Sequence, residues 1–303
     1  MFHALRNAHG KRKPNCRSDA HADAFAAGRR RTARIRDVAF CAAWAIIPFA
    51  ASGAETHAAD TISVAPDAQR FGDVGETPSD WRVTLGGGVI YMPEYEGSDE
   101  FKAAPFPLVS ISFRDSIHID PSGAVVDLYK WNGFRASVKG GYELGRQEDD
   151  SDHLRGLGDI DTGGVVGGLI SYERGPFEVY AELDKTIGGS EGLIAKTGIE
   201  VSHRYRRFVF SGDVSATWAD EKHMQAYFGV TPAQAANSEL PEYEASAGIK
   251  RFDVSASVTH MLTEKLFLTG SVGAGVLLEG AKESPIVRDE IQPFGMLGLG
   301  YRF

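Results

Sequence analysis

From Trp81 onward, apolar and polar residues alternate along the chain, which is the two-residue period of a β-strand and not the 3.6-residue period of a helix. In WRVTLGGGVIY, the side chains of Trp81, Leu85 and Tyr91 share one face, whereas Arg82 and Thr84 share the other. Further segments of about ten residues repeat this pattern, with aromatic residues near their ends. Such segments are typical of the strands of a transmembrane β-barrel, whose apolar face meets lipid.

A soluble β-sandwich also alternates, but its strands average about 5–6 residues, roughly half the length seen here. The number of segments is even, as single-chain bacterial barrels require. We therefore predict an all-β fold, an antiparallel transmembrane β-barrel of about twelve strands. The candidate strands are 81–92, 104–113, 115–120, 123–130, 133–145, 163–174, 176–188, 192–206, 208–219, 243–262, 265–279 and 292–303.

The connections between these strands support the same topology. If the N-terminus of the barrel is periplasmic, the long polar connections all fall outside the cell, and the short ones all form periplasmic turns. The long connections are 93–103, 146–162, 220–242 and 280–291, and the short ones are 114–115, 131–133, 175–176, 206–208 and 263–265. The apolar parity flips near Lys250–Phe252, which predicts a β-bulge there.

The N-terminal 54 residues resemble a secretory signal peptide with a long basic lead. The basic stretch GRRRTARIR precedes the apolar stretch VAFCAAWAIIPFA, and small residues up to Ala54 follow. A membrane anchor is the alternative, but this apolar stretch is too short, because a helix that spans a membrane needs about 20 apolar residues. We predict export, a flexible periplasmic extension over 55–80 and the barrel over 81–303.

Composition then narrows the classes of function. Of the 32 basic and 41 acidic residues, the first 54 positions hold ten and three, so the exported part has a formal net charge of −16. Such a surface disfavours nucleic acid and anionic lipid as partners. Both cysteines lie in the predicted signal peptide, and the histidines show no metal-ligand spacing, so we expect no metal and no cofactor. With no recognisable catalytic set either, we expect a protein that is not an enzyme.

Two charged segments have competing interpretations. The acidic segment 148–164 contains enough carboxylates for Ca²⁺ but lacks the spacing of a Ca²⁺ loop, which favours a solvated outer loop. The basic segment HRYRRF at 203–208 suits either an acidic partner or anchoring at the membrane interface, and the second is favoured.

Charged residues on the polar face of the strands are candidates to line the barrel lumen. Their mixed signs suit either a plug of paired charges or a narrow water-filled pore, and the sequence leaves both open. These residues are Arg82, Arg135, Lys139, Glu143, Glu178, Glu182, Asp184, Lys196, Glu200, Arg204 and Arg206.

Several segments resemble the MipA/OmpV family of Gram-negative outer-membrane proteins over about 81–303. They are YEGSDE, with Tyr95, Gly97, Ser98 and Asp99, the loop segment MQAYFGVTPAQAANSELPEY, GPFEVYAELDKTIGGSEG, ESPIV and the terminal YRF. The resemblance implies a barrel in the cell outer membrane. It also implies a scaffold that links a murein hydrolase, a lytic transglycosylase, to a peptidoglycan synthase. The alternatives within the family are a small-solute porin, an osmotic-stress-related channel and an adhesin, and none brings catalytic residues.

The final segment, GLGYRF, continues the alternation to its last residue. Leu299, Tyr301 and Phe303 share the face expected to meet lipid, and this strand must pair with 81–92 to close the barrel. The terminal Phe303, with Tyr301 two positions earlier, also resembles the signal that the barrel assembly machinery recognises. We therefore expect a monomeric barrel in contact with outer-membrane lipid.

Overall fold

The chain forms a closed antiparallel barrel of twelve strands, as the alternation predicts. The computed structural model describes residues 80–303, so the predicted signal peptide and nearly all of the extension lie outside the described residues. The strands are β1 (Trp81–Pro93), β2 (Phe101–Phe113), β3 (Ile117–Asp120), β4 (Gly123–Trp131), β5 (Phe134–Glu143), β6 (Gly163–Arg174), β7 (Phe177–Ile187), β8 (Leu193–Tyr205), β9 (Phe208–Ala219), β10 (Gly248–Met261), β11 (Leu266–Leu277) and β12 (Ile291–Arg302).

Each strand pairs with its neighbours in sequence, and β1 pairs with β12 to close the ring. The closing register joins Leu85 to Tyr301 and Val89 to Leu297. Closure leaves no sheet edge to be satisfied by lipid, which cannot form hydrogen bonds with a backbone.

Large apolar side chains are exposed around the outside of the barrel. Leu85, Val166, Leu183, Val254 and Leu297 are examples, each at least 44% exposed, and they lie on the face that alternation assigns to lipid. Aromatic residues cluster at the ends of the strands, where Trp81 packs on Phe113 and Tyr91 stacks on Phe101. This exterior is the apolar belt with aromatic girdles of a transmembrane barrel. None of the helices within residues 80–303 is long and apolar enough to cross a membrane.

One end of the barrel, here the turn end, carries only short connections. The other end, here the loop end, carries all four long connections, as expected. It also carries the short connections 121–122 and 188–192. The long connections contain helices α1 (Glu221–Phe228), α2 (Pro232–Asn237) and α3 (Glu279–Lys282), and two 3-10 turns (Glu148–Asp150 and Asp152–Leu154).

The predicted β-bulge is confirmed, whereas the predicted start of its strand is wrong. The β9–β10 register shifts between Ile249 and Arg251, which makes Lys250 the extra residue. Strand β10 begins at Gly248 and not at 243. The alternation over 243–247 has another cause, because Tyr243 pairs with Val230 in an isolated bridge and Ala245 is buried among loop residues.

Glycines in β1 bring the closing strands close together. Pairing with both neighbours continues through Gly86–Gly88 without a register shift. A Cβ atom at Gly86 would overlap the carbonyl oxygen of Leu299, whereas a Cβ at Gly87 would lie 3.6 Å from the nearest backbone oxygen, that of Phe106. Close approach of β12 therefore explains the glycine at position 86.

We expect Gly86→Ala to lower the free energy of unfolding by about 1–3 kcal/mol, because the added methyl group forces β12 away from β1. The adjacent Gly87→Ala is the matched control. It has room for its methyl group and is expected to be neutral or stabilising by up to about 1 kcal/mol, since alanine loses less conformational entropy on folding. Urea unfolding of the two refolded variants, followed by heat-modifiable gel mobility, measures the difference. Equal effects of the two substitutions would contradict this account of the seam.

Candidate functional site

The long loops fold together into a compact structure, here called the loop cap (residues 94–100, 144–162, 220–247 and 278–290). Its interior holds two apolar clusters, one around Met224 and Phe228 and one around Leu154 and Ile286. Hydrogen bonds join separate loops within the cap. The hydroxyl of Tyr95 donates to the Ile286 carbonyl at 3.1 Å, and Gln234 Nε2 donates to the Leu157 carbonyl at 2.6 Å. The acidic segment 148–164 is therefore only partly solvated, since its Leu154 is fully buried.

Helix α1 is fixed at both ends within the loop cap. Asp220 caps its first turn by accepting a hydrogen bond from the His223 amide at 3.0 Å. At the other end, Arg146 Nη1 donates to the Tyr227 carbonyl at 2.7 Å, and Ser284 Oγ donates to the Phe228 carbonyl at 2.5 Å. These bonds satisfy carbonyls that a helix C-terminus leaves without partners. The face of α1 that carries His223 is thereby held against the barrel wall.

His223 joins opposite walls of the barrel. Its Nε2 lies 3.0 Å from Lys250 Nζ on β10, and its Nδ1 lies 3.6 Å from Glu143 Oε1 on β5. Strands β5 and β10 are five steps apart in a ring of twelve, so they lie almost opposite each other. Lys250 Nζ also donates to Glu96 Oε2 at 3.0 Å. We call the chain of side chains Glu143–His223–Lys250–Glu96 the crossbar.

The β-bulge at Lys250 explains how two neighbouring cations reach one carboxylate. In a regular strand, successive side chains point to opposite faces, but the extra residue of a bulge lets both point inward. Arg251 Nη1 therefore lies 3.3 Å from Glu96 Oε1, on the same carboxylate that Lys250 binds. Arg251 also pairs with Asp253 at 2.5 Å.

All four crossbar side chains are at most 4% exposed. Burial and the neighbouring Lys250 cation hold the pKa of His223 well below its usual value. An ammonium group only donates hydrogen bonds, so His223 Nε2 accepts from Lys250, and the ring proton lies on Nδ1, facing Glu143. Glu143 also accepts a hydrogen bond from Ser190 Oγ at 2.9 Å. The crossbar is thus a buried connection, with an ion pair between Lys250 and Glu96 at one end, that holds α1 across the mouth of the barrel.

The low pKa of His223 predicts that acid loosens the loop cap. A group whose pKa is lower in the folded state contributes stability above its unfolded pKa of about 6.5, and that stability falls as the pH drops towards the folded pKa. The groups facing His223 include Lys250 from β10, Glu143 from β5 and the Tyr227 ring at 4.7 Å on its own helix. Lowering the pH from 7.5 to 5.5 should therefore raise hydrogen exchange in α1, corrected for intrinsic rates, by up to about tenfold.

Two variants distinguish the protonation of His223 from the protonation of other groups. His223→Gln keeps a polar side chain but cannot titrate, so exchange in α1 should lose this pH dependence. His153→Gln, in the loop cap but outside the crossbar, should retain it. An unchanged pH dependence in His223→Gln would show that another group is responsible.

The predicted lumen residues lie on the polar face of their strands, and several are brought together in pairs. The prediction is wrong for Arg206, which lies in the β8–β9 turn, with its guanidinium over the exposed ring of Tyr205. Arg135 Nη2 lies 2.6 Å from Glu178 Oε1. Lys139 Nζ lies 2.7 Å from Glu182 and 2.8 Å from Asp184. Lys196 lies over the ring of Tyr180, whose hydroxyl donates to Asp213 at 3.0 Å. Of the others, Glu143 belongs to the crossbar, Glu200 is buried, and Arg82 pairs with Asp115 near the turn end.

The opposite wall of the lumen carries an apolar cluster. Phe106, Leu108, Met261 and Phe267 form a cluster between β2, β10 and β11. The ring of Phe267 lies against Gly300, where a Cβ atom would overlap it. The lumen is thus asymmetric, with ion pairs on the β5–β8 side and packed rings on the side where the barrel closes.

The residues of the YEGSDE segment form contacts within the loop cap. Tyr95 is buried, and burial together with the Asp99 carboxylate raises the pKa of its hydroxyl. Gly97 has a φ of +101°, and its amide donates to Gln292 Oε1 at 2.9 Å. Ser98 is buried and accepts from the Glu100 amide, whereas Asp99 is exposed and pairs with Arg288 at 3.6 Å.

Sequence reasoning placed Glu143 in the lumen but missed Glu96, His223 and Lys250. A signal for α1 was available, because Met224, Tyr227 and Phe228 have the spacing of one helix face within an otherwise polar loop. Tyr301 and Phe303 lie on the outward face, with their rings 5.0 Å apart. Across residues 80–303, no group of His, Cys, Asp and Glu side chains is placed to hold a metal ion.

Solved structures similar to this chain are outer-membrane barrels of low identity. An outer membrane channel from Pseudomonas putida F1 has a TM-score of 0.38 and 10% identity, over 77% of this chain and 98% of that one. The anion-selective porin from Comamonas acidovorans has a TM-score of 0.31 and 12% identity, over 74% and 98%. The chain spans 57% of Salmonella typhi OmpF, at a TM-score of 0.32 and 11% identity over 72% of this chain. Similarities at this level carry no argument about function.

A search of the curated proteins found no match. A family model, in contrast, matches residues 85–303, which is the whole barrel except the start of β1. The model is described as MltA-interacting protein MipA. Together with the closed barrel and its apolar exterior, this match identifies an outer-membrane barrel protein. The chain belongs to the MltA-interacting protein MipA family.

Proposed function

We propose that the protein is a non-enzymatic outer-membrane scaffold, which holds peptidoglycan-remodelling enzymes at the turn end of its barrel. The observation that carries the proposal is the crossbar. It holds α1 across the loop end and thereby favours a barrel that is closed at rest. A closed barrel suits a protein that anchors partners in the membrane better than one that passes solutes continuously.

The family description supports the proposed partner, because it names an interaction with MltA. For this chain, we propose a lytic transglycosylase and a peptidoglycan synthase as partners. They would reach the turn end, provided that this end faces the periplasm. The available surface there consists of the short turns 114–116, 132–133, 175–176, 206–207 and 262–265, and of the predicted extension over 55–80.

Capture of the purified enzymes by the refolded full chain tests the scaffold. Deletion of 55–80, combined with replacement of the exposed turn residues, should abolish capture. Replacing exposed cap residues such as Lys222 and Lys282 should leave capture unchanged. Capture that survives the combined turn-end variant would count against this surface.

A second function, a small-solute porin, is favoured by one separate observation. The paired lumen side chains are not fully buried, since Lys139, Glu182 and Asp184 keep 21–24% of their side-chain surface exposed. Water therefore reaches the ion pairs beneath the crossbar. A porin of this design would conduct only when the crossbar opens, and conductance measurements distinguish the two functions.

A further inference from the structure

The two ends of the barrel differ strongly in charge. Connections at the loop end contain twenty acidic and five basic residues, a formal net charge of −15. Connections at the turn end contain four basic and two acidic residues. The turn end therefore concentrates positive charge in a protein that is acidic elsewhere, and this contrast calls for an anionic neighbour.

The net positive charge of the turn end comes from one turn, because the basic residues of the other turns are matched by acidic ones. The β8–β9 connection consists of Arg206 and Arg207 alone, and both are exposed. Within residues 80–303, no carboxylate lies at ion-pair distance from either guanidinium. Arg207 Nη1 instead contacts the Leu262 carbonyl of the next turn at 3.5 Å. Among the residues that the structure describes, these cations thus have no acidic partner and are available to an external anion.

The residues beside this turn face the outside of the barrel. Tyr205 pairs across the strands with Phe208, and Phe208 pairs with His260, whose ring it stacks on at 4.3 Å. His203 pairs with Phe210 in the same way. These rings form the aromatic girdle of the turn end, which in membrane barrels lies at the level of the lipid head groups.

Arg206 is directed towards this girdle. Its guanidinium lies 5.3 Å from the centre of the Tyr205 ring, which is exposed and faces outward. A protein partner that approaches along the barrel axis would contact the tip of the turn. A lipid head group, in contrast, lies beside the barrel wall and next to the Tyr205 ring. The position of Arg206 over an outward-facing ring therefore favours lipid.

We propose that Arg206 and Arg207 bind the phosphate of an anionic phospholipid at the turn end of the barrel. Guanidinium groups bind phosphate oxygens through paired hydrogen bonds. The acyl chains of the lipid would lie along the exposed apolar side chains of β8 and β9, such as Ile199 and Val214. The site uses turn 206–207, which the scaffold proposal also offers to its enzyme partners, so lipid retention and enzyme capture are measured as separate readouts.

Native mass spectrometry of the refolded full chain tests this site, with phosphatidylglycerol and phosphatidylcholine offered in equal amounts. The wild-type protein should retain phosphatidylglycerol preferentially. Arg206→Gln/Arg207→Gln should weaken that retention by roughly thirtyfold, as expected for the loss of two cations at an anionic surface. Lys222→Gln/Lys282→Gln removes two exposed cations at the loop end and should leave retention unchanged.

Three results would overturn the proposal: unchanged retention in the arginine variant, equal weakening in the lysine control, or a wild-type protein without preference for phosphatidylglycerol. Retained lipid with weakened capture of an acidic protein would assign the turn to a protein partner instead.

If the arginine variant does not fold, the salt dependence of lipid retention by the wild-type protein tests the site. Raising the salt concentration should release phosphatidylglycerol selectively, because exposed charges are screened, and equal release of both lipids would contradict the site.

Discussion

Replacing Lys250 with alanine should release helix α1 from the mouth of the barrel while the barrel itself stays folded. The ammonium group of Lys250 is the only crossbar group that touches both Glu96 and His223. Its loss leaves Glu96 buried with Arg251 as its remaining cation, and leaves His223 Nε2 without its donor. Removing one partner of a buried ion pair costs about 3–5 kcal/mol. The strand ladder does not depend on this contact, so the cost falls on the loop cap.

Limited chymotrypsin digestion with mass spectrometry measures the release. Tyr227 and Phe228 are buried in the wild-type protein and should become cleavage sites in Lys250→Ala. Lys250→Met nearly preserves the side-chain volume but removes the charge. If the ion pair and not packing holds the helix, this variant should expose the same cleavage sites as Lys250→Ala. Lys222→Ala is the control, because the pair of Lys222 with Glu191 is more than 60% exposed and contributes about 0–1 kcal/mol. Unchanged protection of α1 in Lys250→Ala would show that the crossbar does not hold the cap.

Deleting Phe303 should reduce assembly into the outer membrane far more than it reduces the stability of the folded barrel. In the folded protein, Phe303 is 59% exposed, and its amide donates to the Val83 carbonyl at 2.9 Å. Loss of one such hydrogen bond and of the ring contact with Tyr301 costs about 1–2 kcal/mol. A many-fold fall in the inserted amount would exceed this cost and would support the proposed recognition of Tyr301 and Phe303 by the assembly machinery.

Phe177→Ala provides a matched control for the deletion. Phe177 is also an aromatic residue at the turn end, 54% exposed, but it lies within the chain. Quantifying folded protein in outer-membrane fractions should show a large loss for the Phe303 deletion and little loss for Phe177→Ala. If both insert at wild-type levels, the terminal segment is a closing strand without a recognition role.

The barrel could be predicted from the sequence because its cause is local. Lipid on one side and a polar lumen on the other impose alternation on every strand, and this signal survives without knowledge of the partner strands. The bulge at Lys250 was also predictable, since an extra residue reverses the alternation on either side of it. The start of β10 was not, because Tyr243 and Ala245 alternate to fill the loop cap and not to face lipid.

The crossbar could not be predicted because its members are distant in sequence. Glu96 and Lys250 are 154 positions apart, and Glu96 enters the site through the folding of the first long loop. Alternation assigns Glu143 to the polar face but does not say which residue meets it there. No local sequence pattern indicates that a histidine such as His223 is buried. Only the closed ring, which brings β5 opposite β10, shows that one side chain spans the two walls.

Single-channel recording in planar bilayers tests most directly whether the crossbar closes the barrel. The refolded wild-type protein should show no conductance steps above baseline at neutral pH. The variant Glu96→Gln/Lys250→Met breaks the crossbar and should show conductance steps if the lumen beneath it conducts. The absence of steps in both proteins would favour a purely structural barrel. Regular steps from the wild-type protein would contradict a barrel that is closed at rest and would favour the porin over the scaffold.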